Sequence, residues 1–348
     1  MAEAQSNSAA RNATTIVVGT RKSLLAIAQA EIVVAALQAA LPEYTFPIEG
    51  MTTTGDRDQN TALYNFGGKA LWTTELEERL VKNELDIIVH SLKDMPTTLP
   101  EGCILGAITT REDPRDTLVI KPTLQEKHGW KSLADLPAGS VIGTSSIRRI
   151  AQLARRFPHL KFKDHRGNIH TRLQKLEDDP ELTAIILAAA GLERMDFGGR
   201  IAQYLDHDGA GILHAVGQGA LGIECRAGDT RVIQALEKLK DHKTTLTCLA
   251  ERSLMRALEG GCSVPIGVET SWVDGKLRLR ATVVSVKGDE AVDSEFTEDI
   301  KTEEEADAYG QKVASDLLDK GANKILDAIN AGKKQQQDAA QAQVQAQQ

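Results

Sequence analysis

The sequence predicts an α/β protein of layered, mainly parallel sheets, followed by a small α+β domain. Three observations carry that reading. From about residue 15 to residue 240, short β-branched runs alternate with stretches whose apolar residues recur at helical spacing. That is the pattern of strands joined by crossover helices. After about Asp241 the alternation gives way to one helix, then strand-like runs joined by tight-turn dipeptides, then a last helix. The chain has 348 residues, too many for one core and enough for two or three domains of roughly 100–200 residues each.

In chain order, Thr15–Gly19 (TIVVG) is the first strand and Leu24–Leu37 the first helix. Met51–Gly68 (MTTTGDRDQNTALYNFGG) is long, polar and poor in core residues, and reads equally as a lid or a plain connection. Leu71, Leu76, Leu80 and Leu85 mark an amphipathic helix, with Thr74 and Glu77 spaced as a capping box. Asp86–His90 (DIIVH) is a buried strand, and Pro114 and Pro122 punctuate a boundary near 115–122. Val141–Gly143 ends a strand, the helix Ile147–Phe157 follows, and Ala184–Leu187 (AIIL) is a further strand. Beyond a boundary near residue 240, a helix over Thr245–Leu258 ends at Gly260-Gly261. Two or three strands then turn at Asp274-Gly275 and Gly288-Asp289. The last helix opens on Thr302-Glu303-Glu304-Glu305, a second capping box, and runs to about Ile329. Residues 1–14 and the Gln/Ala-rich 331–348 have no core-forming pattern and read as disordered tails.

Composition removes several functions. Apolar residues at 41% and charged residues at 26% describe an ordinary water-soluble chain. A net charge of −8 and 4% aromatics disfavour a general nucleic-acid binder and a base-stacking surface. No apolar run approaches the ~20 residues of a membrane span, and the first fourteen residues have no apolar h-region, so a cytoplasmic protein is expected. The four cysteines, Cys103, Cys225, Cys248 and Cys262, lack disulfide-framework or zinc-ligand spacing, which predicts reduced thiols and no metal site.

One device recurs where chemistry could sit. A strand ends, small or hydroxyl residues follow, then an arginine, then a helix. It occurs at Gly19-Thr20-Arg21-Lys22-Ser23, at Gly143-Thr144-Ser145-Ser146-Ile147-Arg148-Arg149, and more loosely at His165-Arg166-Gly167-Asn168 with Arg172 one turn on. Helix N-termini attract anions, hydroxyls add donors, and arginine adds a two-pronged fork for carboxylate or phosphate. Residues 143–172 hold eight Lys and Arg against the single acid Asp164. We read Arg148, Arg149, Arg166 and Arg172 as facing a multiply anionic ligand, and Arg155, Arg156, Lys161 and Lys163 as a solvated face. Ser91-Leu92-Lys93-Asp94 follows a buried strand, so Lys93 and Asp94 sit on a strand-end rim. There Asp94 would stabilise a developing cation or move protons. Cys262, after two glycines and past a helix end, is the cysteine placed to react or to carry a covalent group.

Taken together, VGTRKSLLAIAQA, TTTGD, GGKALW, VHSLKDMPTTLP, GTSSIRR, HRGNIHTRL, LAAAGLERM, AVGQGALGIECR and GGCSVPIG resemble the porphobilinogen deaminase (hydroxymethylbilane synthase) family over about Ile16 to Gly267. The resemblance implies two doubly wound domains similar to periplasmic-binding-protein lobes, with a cleft between them, and a small C-terminal α+β domain. It places domain 1 at 15–116 with 216–238 returning to it, domain 2 at 117–215, and domain 3 at 239–330. It implies a transferase that joins four porphobilinogens head to tail, losing one ammonia from each, and releases the linear tetrapyrrole by hydrolysis. It also implies one dipyrromethane cofactor per chain, held on Cys262 through a thioether. By the same matching, Asp94 is the catalytic acid. Lys93, Ser91, Thr144, Ser145, Ser146, Arg148, Arg149, Arg166, Gly167, Asn168 and Arg194 contact the cofactor. Arg21, Ser23, Gln29, Lys69, Arg149 and Arg172 contact the substrate. Many members carry a second lysine where this chain has Thr74, which helix capping explains better. The resemblance further implies a monomer that binds neither nucleic acid nor membrane. Two readings from other classes compete: a non-catalytic two-lobed anion-binding protein, which leaves Cys262 and Asp94 unexplained, and a cysteine-nucleophile hydrolase, which leaves the cationic cleft unexplained.

Overall fold

The computed structural model describes residues 14–53, 55, 72–258 and 264–332. The expectations for Lys69, Cys262 and its two glycines, most of 51–68, and the two tails lie outside those residues.

Two five-stranded sheets have the same layout. The first runs β2 (Ile48–Met51), β1 (Val18–Arg21), β3 (Ile87–Ser91), β10 (Leu221–Arg226), β4 (Cys103–Ile108). β1 is parallel to β2 and β3, whereas β10 is antiparallel to β3 and β4. The second runs β7 (Lys161–Lys163), β6 (Val141–Gly143), β8 (Leu182–Ala188), β5 (Asp116–Ile120), β9 (Gln203–Leu205). There β6 is parallel to β7 and β8, and β5 is antiparallel to β8 and β9. The fourth strand of each sheet is thus the first strand formed after the chain has crossed from the other lobe. Each sheet is therefore mixed, although each has a parallel half built as expected.

Both faces of each sheet are covered, which is why the inner strands β3 and β8 are mostly apolar and buried. In the first lobe, Ile16, Val18, Ile87, Val89 and Ile223 pack on Ala30, Val33 and Leu37 of α1 (Leu24–Ala40). On its other face, Val17, Leu85 and Ile88 meet Leu76 and Leu80 of α2 (Thr74–Val81). The last two are fully buried, each worth about 2 kcal/mol of apolar transfer. The second lobe carries α3 (Pro122–His128), α4 (Ile147–Arg156), α5 (Ile169–Asp178) and α6 (Ala189–Arg194), with a core on each side of its sheet. After β10, α7 (Thr230–Leu236) packs back on the first lobe.

The third domain lays α8 (His242–Ala257) and α9 (Glu303–Asp319) on the antiparallel sheet β11 (Ile266–Val273), β12 (Lys276–Val284), β13 (Ala291–Glu298). Asp274 and Gly275, at φ 49° and 79°, make the two-residue hairpin between β11 and β12. A Cβ on Gly310 would collide with the Ala250 carbonyl, so glycine there lets α9 close on α8.

Three local expectations change. The Thr74–Glu77 capping box does not form: Thr73 is the N-cap residue of α2, so Glu77 falls one position deeper and turns inward, buried. Thr15 makes only an isolated bridge to Thr45, and β1 begins at Val18. The last helix keeps its Thr302–Glu305 capping box but stops at Asp319, because Gly321 at φ 97° breaks it before helical turns resume over 322–332.

Candidate active site

The strand ends of both lobes open on one cleft of about 630 Å³, whose floor includes Met255, Val264 and Ile266 from the third domain. Three helix N-termini point their free N–H groups at this region, each with the cap its sequence prescribes. Ser23 accepts from Ala26 N at 3.3 Å at the start of α1. Ser146 accepts from Arg149 N at 3.5 Å at the start of α4. Asn168 accepts from Thr171 N at 2.8 Å at the start of α5. The intervening loops are braced: Thr144 Oγ1 accepts from Ser146 N at 3.2 Å, and Ser145 Oγ accepts from His165 N at 3.0 Å. Gly167 sits at φ 123°, where a side chain would also press on Thr171. β3 runs out through Ser91 into a single 3₁₀ turn, Leu92–Asp94, which sets Lys93 and Asp94 on the rim.

Arg21, Ser23, Ser91, Lys93, Asp94, Thr144, Ser145, Ser146, Arg148, Arg149, Arg166, Gly167, Asn168 and Arg172 all line the cleft. Among the described lining residues Asp94 is the one carboxylate, facing an array of cations. Gln29 and Arg194 stand back from it. Gln29 is buried and exchanges hydrogen bonds with Ser91 Oγ at 2.8 and 3.1 Å. Arg194 donates to Gly219 O at 2.8 Å.

The structure adds residues that the sequence pattern did not single out. Asp116, fully buried at the start of β5, holds both helix-start arginines. Arg148 Nη1 donates to its Oδ2 at 2.7 Å and to Leu213 O at 2.7 Å. Arg149 donates to its Oδ1 through Nη2 at 2.7 Å and Nε at 3.1 Å, and to Ile186 O at 2.8 Å. Despite burial, the two guanidinium groups hold the Asp116 carboxyl far below the usual carboxylate range. The three side chains together carry +1. Gln218 bridges this group to the opposite lobe, donating to Asp116 Oδ1 at 2.9 Å while its Oε1 accepts from Lys93 Nζ at 3.3 Å. Trp72 lies 4.1 Å under the Arg21 guanidinium. A sequence signal for Asp116 existed: a lone charge opening the otherwise apolar strand DTLVI.

Burial tunes the cations. Lys93 is pulled down to about 8, and Arg172 to about 9 by burial and by Arg149 beside it. Arg172 donates to Ile186 O at 3.1 Å, but its buried Nε has no partner among the described residues. His165, buried and close to Arg172, is lowered to about 4, so its ring is neutral as it donates from Nε2 to Arg172 O at 3.0 Å. Cys103, Cys225 and Cys248 are buried and their thiols pushed up to about 11, 12 and 12, which makes them inert. No group of described residues has the makings of a metal site.

The third domain is bolted to both lobes. Arg111 forks onto Glu251 of α8 at 2.7 and 3.0 Å and donates from Nε to Gln218 O at 2.8 Å. Glu251 also accepts from Gly217 N at 2.8 Å and Thr270 Oγ1 at 2.7 Å. Arg155, expected as part of a solvated face, pairs with Asp293 of β13 at 2.8 and 3.0 Å.

Comparison with known proteins places this geometry among relatives. A family model described as "Porphobilinogen deaminase, dipyromethane cofactor binding domain" matches residues 16–234, and one described as "Porphobilinogen deaminase, C-terminal domain" matches 245–319. The chain is 54% identical over 322 residues to a porphobilinogen deaminase of Neurospora crassa, covering 92% of this chain and 95% of that protein. It is 55% identical to one of Yarrowia lipolytica (90% and 93% covered) and 51% identical to one of Saccharomyces cerevisiae (91% and 97% covered). Among solved structures, a substrate-binding domain from Lactococcus lactis aligns at TM-score 0.40 and 9% identity, over 65% of this chain and 88% of that one.

Proposed function

The chain belongs to the porphobilinogen deaminase family, and from that premise we propose how its residues divide the work. The protein is a transferase of tetrapyrrole biosynthesis. It condenses four porphobilinogen molecules head to tail, with loss of one ammonia from each, and releases hydroxymethylbilane by hydrolysis. This membership displaces both the non-catalytic anion-binding reading and the hydrolase reading. When bound, the dipyrromethane supplies the pyrrole to which substrate is joined.

The observation that carries the division is that Asp94 is the one carboxylate among the described residues lining a cleft of cations and three helix N-termini. Each porphobilinogen bears an acetate and a propionate, so the ligands are polyanions whose reacting pyrrole becomes cationic as ammonia leaves. Arg21, Ser23 and Arg172 bind substrate carboxylates. Arg148, Arg149, Arg166 and the helix-start groups Thr144, Ser145, Ser146, Gly167 and Asn168 hold the cofactor side chains, with Lys93 and Ser91 on the facing rim. The fit is supported by Arg172, which lines the cleft and whose buried Nε has no partner among the described residues. Asp94 faces the pyrrole N–H, offsets the charge that develops as the aminomethyl C–N bond breaks, and moves the proton lost when the new C–C bond forms. Gln29 acts through Ser91, and Arg194 through the Gly219 turn. Lys69 extends the cation set, and Cys262 is the attachment point.

We divide the chain into 15–116 with 216–238, 117–215 and 239–330, a division supported by β10 pairing within the first sheet. No helix of the described residues is long and apolar enough to cross a membrane. A protein that does not engage nucleic acid fits the net charge of −8, and we take it as a cytoplasmic monomer. Intact-protein mass spectrometry of the wild type beside Cys262→Ser tests the reading. A wild-type mass exceeding the sequence mass by two deaminated porphobilinogen units, absent in the variant, is expected. A chain that stays at its sequence mass after incubation with porphobilinogen overturns it.

A further inference from the structure

Arg252 is 4% exposed, on the face of α8 that meets the first lobe. Among the described residues it has no carboxylate partner. It donates from Nη1 to Met95 O at 3.2 Å and from Nη2 to Pro96 O at 2.5 Å. One helical turn on, Arg256 reaches Thr97 O at 3.4 Å and Asp307 Oδ1 at 2.5 Å. A guanidinium held in the interior only by peptide oxygens keeps much of its desolvation cost, and burial pulls it down to about 10. An apolar side chain would cover the same surface without that cost.

What Arg252 grips gives this buried charge a use. Met95 and Pro96 directly follow Asp94, and Met95 N closes the 3₁₀ turn on Leu92 O at 3.2 Å. The orientation of these two peptides therefore sets where the Asp94 side chain is presented. The neighbour of Arg252 on the same helix, Glu251, fastens Arg111 and Gly217 at the crossing between lobes. The helix ends at Ala257, five residues before Cys262 in the sequence. One helix thus ties the turn that carries the acid to the third domain.

We propose that Arg252 is a positioning residue for Asp94, through which the third domain aims the acid into the cleft. The proposal rests on the assignment of Asp94 above. Arg252→Gln and Arg252→Lys are compared with wild type by intact mass, for covalent loading, and by kcat and KM per loaded chain. Loading is retained, kcat falls about tenfold to a hundredfold in the Gln variant with KM within about twofold, and Lys restores part of the loss. An unchanged kcat per loaded chain, or activity that falls only in step with loading, overturns the proposal. If Arg252→Gln does not fold, Arg256→Gln reads the outer end of the same strap: a fall of about twofold to fivefold supports the proposal and an unchanged kcat overturns it. Asp94→Asn is measured alongside. Turnover in that variant defeats the assignment of Asp94 itself, whereas an inactive Asp94→Asn beside a fully active, loaded Arg252→Gln defeats the positioning role alone.

Discussion

At the scale of single residues, the proposed division of work separates side chains that meet ligand from side chains that hold others in place. Asp94 is the first kind. Replacing it by asparagine keeps the size and removes the charge, so folding should stand while turnover falls by about two to three orders of magnitude. Steady-state rates on protein of normal melting temperature check this, and near-normal turnover would take Asp94 out of the mechanism. Asp116 is the second kind. It answers two buried guanidinium groups, so Asp116→Asn leaves two like charges side by side with no counterion. The cost is about 3–5 kcal/mol. Arg148→Leu or Arg149→Leu removes only one of the two cations and should cost less, while lowering covalent loading. Urea unfolding midpoints in the order wild type, either Arg variant, Asp116→Asn are expected, and the reverse order would mean the trio is not a counterion cluster. The role of Asp116 was hard to read in the sequence because an aspartate at a strand start has many bland uses. Its partners lie 32 and 33 residues away.

At the scale of elements, the helix starts were legible in the sequence, and their caps follow from local chemistry. Ser23, Ser146 and Asn168 each sit where a strand end, a short polar stretch and an apolar helical period meet, and each caps its helix. The logic is local, so a single sequence carries it. The Thr74–Glu77 reading failed for a tertiary reason: the pull of the core on Leu76 and Leu80 sets the helix phase, and Glu77 follows them inward. If the helix starts bind carboxylates, their caps matter twice. Asn168→Ala should cost about 1 kcal/mol of stability. It should also raise KM by fraying N–H groups that face the cleft. Thermal melting and substrate titration together test this, and a lower melting temperature with unchanged KM would confine Asn168 to a structural role.

At the scale of the molecule, the α/β class and the separate third domain were legible from alternation and its loss near residue 240. The return of 216–238 to the first lobe was expected only from the family resemblance, and the alternation itself carried no sign of it. β5 and β10 look like any apolar strand, and nothing local says that each pairs in the sheet the chain has just entered. The bolt from Arg111 to Glu251 spans 140 residues for the same reason. This assembly should make the fold sensitive to mild acid. His165 lines the cleft, and His214 lies at the joint, its backbone bridged to Val268 of the third domain. Burial lowers both rings to about 4. Unfolded, both titrate near about 6.5. As pH drops from about 6.5 toward about 5, the unfolded chain binds protons that the folded chain refuses. Stability therefore falls with pH, by up to about 1.4 kcal/mol per unit for each ring. Asp116, depressed by its arginines, contributes fully above the ordinary carboxylate value and weakens only further into acid. Glu77, raised by burial, works the other way, since its protonated form is the one the fold prefers. Denaturant unfolding at pH 6.5 and pH 5 should show the loss, and His165→Gln with His214→Gln should flatten it. An equally steep slope in the double variant would mean that other groups set the acid limit of this fold.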